Sequence, residues 1–88
     1  MPRDAAETAI LDLLAARDAG KTICPSEAAR ALAIARGNPD DWRADMDRAH
    51  AAARALASEG AVTLMQGGAA VAEPEGAYRI GHRGDPPS

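Results

Sequence analysis

Two helix starts with a tight turn between them constrain this chain more than any other feature. The first lies in Thr22-Ile23-Cys24-Pro25-Ser26-Glu27-Ala28-Ala29-Arg30. The second lies in Pro39-Asp40-Asp41-Trp42-Arg43, with the turn Gly37-Asn38-Pro39 leading into it. Pro25 suits a first helical position, because that N–H would be unpaired anyway and the ring fixes a helical φ. Glu27 then falls at the third position, where its carboxylate reaches back to the cap N–H and meets the positive end of the helix dipole. Cys24 is the cap residue, a weaker acceptor than Ser or Asp. Ala28, Ala29 and Leu32 form the inward face of a helix over about 25–35, and Arg30 points outward. Asn38, Pro39, Asp40 and Asp41 supply a cap, a helical proline and two first-turn carboxylates for a longer helix ending at Gly60.

The flanks complete the pattern. Asp4 caps a first helix, with Glu7 as its reciprocal partner, and the helix is expected to reach about Ala19 and stop at Gly20. Ile10, Leu11, Leu13 and Leu14 cover more than one stripe, so this helix packs on two sides. Lys21 to Cys24 reads as a short extended piece that can add a third strand. Trp42, Met46, Ala49, Ala53 and Leu56 recur at spacings of four and three, which is one apolar stripe. Arg43, Asp47, His50 and Arg54 occupy the neighbouring face. Ala61 to Gln66 alternates as a strand with Val62 and Leu64 inward, Gly67-Gly68 is a turn, and 69–76 is a loop. Ala77 to His82 is the return strand, with Tyr78 and Ile80 on one face. The expectation is an α+β, mainly helical fold: a winged helix-turn-helix of three helices with a small two- to three-stranded antiparallel sheet. It forms one domain over 4–83, and 84–88 reads as a flexible tail.

The core is thin. Apolar residues make up 47% of the chain, but 23 of them are Ala, Ile, Leu and Val together number 12, and there is no Phe. So few large aliphatics can signal disorder. A net charge of only −3 and the placement of Ala in helical segments argue for a folded domain. A thin core also favours a homodimer or a partner that covers apolar surface. Cys24 is the only cysteine, so neither an intramolecular disulfide nor a cysteine-based zinc site is available. His50 and His82 lack ligand spacing, which argues against a metal. Ser26 has no His/Asp arrangement for nucleophilic catalysis. Gly67-Gly68 lacks the lysine and the helix of a phosphate loop. No cofactor site and no enzyme activity are therefore expected. No apolar run reaches the length of a membrane span and no signal-peptide core follows Met1, so a soluble cytoplasmic protein is expected, away from membranes.

Three segments resemble a known family: Thr22-Ile23-Cys24-Pro25-Ser26-Glu27 with Ala29-Arg30, Trp42-Arg43 with Met46, and Gly76 before the arginine-bearing strand to Ile80. They look like a family of small bacterial proteins classed as a domain of unknown function, and the resemblance spans about residues 7–81. It implies a winged-helix-like fold and brings no activity, cofactor or ligand with it. Family members commonly carry Arg where this chain has His50, so any phosphate or partner contact there is weaker at neutral pH.

Two functional readings follow. In the first, the protein is a nucleic-acid-associated or regulatory adaptor. Arg43, His50 and Arg54 then line the contact face, and Arg79 and Arg83 touch phosphates from the wing. Against it, residues 40–54 hold four Asp (40, 41, 45, 47) and three Arg (43, 48, 54), and Glu73 and Glu75 offset the wing arginines. Nucleic-acid affinity depends chiefly on phosphate neutralisation, which an acidic recognition helix opposes. In the second, the domain is a protein-interaction or dimerisation module without DNA binding, with Trp and Arg as favoured anchors. Glu27, Arg30 and Arg43 form an ion-pair set across the two helices. With Trp42 and Met46 they act as a structural clamp, Trp42 filling core volume that Ala cannot.

Overall fold

The chain builds three helices and a three-stranded antiparallel sheet: an α+β, mainly helical fold in the element order of a winged helix. The computed structural model describes residues 3–18 and 20–83. The expected tail over 84–88 lies outside the described residues.

Helix α1 spans Ala5–Ala15 and is capped by Asp4, whose Oδ1 accepts from the N–H groups of Ala6 at 2.7 Å and Glu7 at 3.2 Å, while the Glu7 side chain pairs with Arg3 at 3.3 Å in place of the expected reciprocal arm. It ends earlier than the expected Ala19, a residue outside those described. The last turn closes by Arg17 N–H donating to the Leu14 carbonyl. Ile10 and Leu14 are buried, while Leu11 and Leu13 are half-buried against the same core, so the helix packs against both of its neighbours. Helix α2 spans Pro25–Ala35, as the sequence pattern predicts. Cys24 N–H donates to Glu27 Oε2 at 3.0 Å, the backward arm of a capping box.

Helix α3 spans Met46–Ser58 and differs at its start from the expected helix. Pro39–Asp45 is a 3-10 segment, broken by non-helical angles at Asp41. A buried charge accounts for this tighter path. Asp45, 3% exposed, accepts from Arg36 Nε at 2.9 Å and meets Arg48 Nη1 at 3.4 Å. Arg36 also donates to the Asp41 carbonyl at 2.8 Å. The end of α2 is thereby fastened to the approach of α3, and the Asp41 carbonyl is turned toward a guanidinium.

Strand β1 spans Val62–Gln66, β2 Ala69–Ala70 and β3 Arg79–His82, in the order β2-β1-β3. Gly67 and Gly68 both have positive φ, as a two-residue primed hairpin turn requires, and they set the pairs Met65↔Ala70 and Gln66↔Ala69. The segment 69–76, expected to be loop throughout, thus begins with a short strand. The Lys21–Cys24 piece contributes less than a strand: one bridge, Ile23↔Ile80, on the free edge of β3. Thr22 holds it there, accepting from Arg79 Nε at 2.9 Å through its hydroxyl and from Arg79 Nη2 at 3.1 Å through its carbonyl.

Val62, Leu64, Tyr78 and Ile80 bury toward the helices with Ile10, Ile23 and Leu56. Between the helices the contact is alanine: Ala6, Ala28, Ala29, Ala49, Ala52 and Ala53 are all buried. These small side chains let helix backbones approach closely, so few large aliphatics close the core. The Cα radius of gyration is 12.2 Å, matching about 12 Å for a compact chain of this length. On the opposite sheet face Met65 lies over Gly81, where an added Cβ would fall 2.6 Å from its terminal methyl.

Candidate functional site

A cleft of about 620 Å³ opens between the start of α2, one face of α3 and the segment leading into β3. Met46, Asp47, His50, Ala51 and Arg54 line it from α3, at the three- and four-residue spacing that stacks side chains on one helix face. Cys24, Pro25 and Ser26 line it from α2, and Pro74, Gly76, Ala77 and Tyr78 from the returning chain. Gln66 fixes that returning chain, its side-chain amide donating to the Ala77 carbonyl at 3.0 Å and also to the Glu75 carbonyl.

At the cleft floor His50 Nδ1 and Tyr78 Oη are 2.7 Å apart, with the rings tilted at 43°. Tyr78 is 6% exposed. Burial raises its phenol pKa above the ordinary 10.0, Arg54 pulls the other way, and Cys24 adds to the rise. The phenol is therefore neutral at physiological pH, and it either donates to Nδ1 or accepts from it, according to the imidazole tautomer. Cys24 Sγ lies 3.1 Å from Ser26 Oγ. Arg54 is exposed and makes no hydrogen bond or ion pair among the described residues.

Of the five nominated contact residues, two line the same cleft. His50 and Arg54 lie together in the cleft. Arg43 is over the Trp42 ring at 4.4 Å, with Arg30 also over it at 4.6 Å. Arg79 is tied to Thr22. Arg83 lines a separate groove with Arg17, Leu11 and Leu14.

The clamp residues are arranged differently from the expected ion-pair set. Glu27 pairs with Arg17 at 2.9 Å, while Arg30 and Arg43 take the Trp42 ring. Glu27 is already turned toward the Cys24 N–H, so its second oxygen meets the end of α1 rather than the start of α3. Trp42 is half-buried and, with Met46, packs against the core.

Two parts of this arrangement had no sequence signal strong enough to find them. The Tyr78–His50 contact joins residues 28 positions apart, and only the register of β3 brings them together. Asp45 read as one more acidic residue on a recognition helix. The i,i+3 spacing to Arg48 was its one local hint.

Among the described residues no group of His, Cys, Asp or Glu is placed to hold a metal ion, and no helix is long and apolar enough to cross a membrane. No curated protein matches the chain. A family model described as a protein of unknown function (DUF3253) matches residues 3–83, nearly the whole sequence, and the chain belongs to that family.

Proposed function

We propose that the protein is a non-catalytic adaptor that works by binding at the α2–α3 cleft. One observation carries this reading: the cleft gathers an apolar wall, the part-buried Tyr78–His50 pair and the exposed Arg54 guanidinium in one concavity. Binding sites have this composition, mostly apolar with a few placed polar groups. The absence of catalysis is supported by how the reactive side chains are engaged. Cys24 is on Ser26 and His50 Nδ1 is on Tyr78, whereas an activated nucleophile needs its base on it.

Nucleic-acid association is the second reading, favoured by the winged-helix element order, which makes α3 the recognition helix. The cations weigh against it. Arg36 and Arg48 are spent on Asp45, Arg30 and Arg43 on Trp42, and Arg79 on Thr22. The deciding experiment is titration of random-sequence duplex DNA at low and moderate salt, with the Arg54→Ala variant alongside. The adaptor reading expects no micromolar binding at low salt. Binding that fades with salt and weakens in Arg54→Ala would replace it with nucleic-acid recognition through α3.

A further inference from the structure

Resting on that reading, we infer that the cleft takes a small organic monocarboxylate, its carboxylate held by Arg54 and its apolar body seated between Met46, Ala51, Pro74 and Ala77. The volume of about 620 Å³ lies within the range of small-molecule sites and is far larger than one ion or water needs. Most of the lining is hydrocarbon, so the occupant has an apolar body. The one cation is Arg54, a planar fork that matches a carboxylate with two parallel hydrogen bonds.

Charge on the lining chooses between anions. Asp47 stands on the same helix face as Arg54 and cancels its charge. Arg54 and Asp47 offset one another, so the fixed charges of the lining leave no surplus cation for a phosphate dianion. A monoanion paired to Arg54 alone and kept clear of Asp47 is tolerated. The second polar anchor is the Tyr78–His50 pair at the floor. It retains hydrogen-bonding capacity toward the cleft in either tautomer, and it suits a hydroxyl or carbonyl on the ligand body.

The probe is benzoate, with benzamide as its neutral match, followed through backbone amide shifts of the ¹⁵N-labelled full chain. Benzoate at millimolar concentration is expected to move the amides of Ser26, Ala51, Arg54, Gly76 and Ala77. Benzamide should bind at least tenfold more weakly. Arg54→Gln should abolish the preference for benzoate. Ala51→Leu, a change at an exposed helix position that narrows the cleft, should abolish binding of both. Equal binding of the two probes, an intact preference in Arg54→Gln, or shifts away from the cleft would overturn the inference, as would silence up to tens of millimolar. Silence here together with no DNA binding removes the ligand class and leaves the adaptor; DNA binding through Arg54 removes the adaptor itself.

Discussion

Tyr78 Oη and His50 Nδ1 lie 2.7 Å apart at the base of the cleft, and this contact joins the returning chain to α3. Because Tyr78 is the only tyrosine, its titration can be followed directly. Burial raises its pKa, so the folded state resists ionisation and the unfolded chain ionises first. The native state then holds the extra proton, and stability falls as pH rises through the interval above the ordinary 10.0. Chemical denaturation midpoints should be flat on the neutral side of that interval and decline within it. Tyr78→Phe should remove the decline and cost about 1 kcal/mol for the lost hydrogen bond. A decline that persists in Tyr78→Phe would assign it to another group.

Arg54 lowers the Tyr78 pKa, opposing burial. Arg54→Gln should therefore shift the absorbance titration of Tyr78 to still higher pH, with little change in thermal stability. An unmoved titration would mean that the guanidinium does not face the phenol.

Asp45 is the one buried charged residue among those described. Removing it takes a buried partner from Arg36 and leaves that side chain fastened to the 3-10 segment through Asp41. Asp45→Ala should cost about 2–3 kcal/mol, and Asp45→Asn, which keeps an acceptor oxygen, roughly half of that. Urea unfolding measures both. A cost for Asp45→Ala no greater than that of an ordinary surface substitution would show that the network adds little to the fold.

Two guanidiniums lie over the Trp42 ring, Arg30 at 4.6 Å and Arg43 at 4.4 Å from its centroid. Exposed cation–π contacts are worth about 0.5–1 kcal/mol each. Arg30→Ala and Arg43→Ala should each destabilise by about that amount and change the fluorescence of the single tryptophan. Trp42→Ala also loses packing on the core and should cost about 2–3 kcal/mol, below the figure for a fully buried ring. If the two arginine variants leave both fluorescence and stability unchanged, the stack is not populated in solution.

Local chemistry was legible in the sequence because short-range rules decide it. Asp4, Pro25, Glu27 and Gly67-Gly68 place their helix starts and hairpin turn through backbone hydrogen bonds and allowed φ, whatever surrounds them. The stripe from Trp42 to Leu56 likewise marked the inward face of α3 by period alone, and Ala49, Ala53 and Leu56 are buried on it. The face bearing Asp47, His50 and Arg54 was visible for the same reason.

What that face meets was decided only by tertiary structure. Tyr78 reaches His50 because β3 pairs with β1 in one register and Gln66 fastens the intervening chain. Arg30 and Arg43 pair with a ring instead of Glu27 because Glu27 is taken by the Cys24 N–H and Arg17. Asp45 forces the 3-10 path because two arginines, one from the end of another helix, converge on it. Each of these depends on a charge or hydroxyl choosing among several partners. Spacing along the chain shows which partners exist, but the choice depends on burial and distance, which packing alone sets.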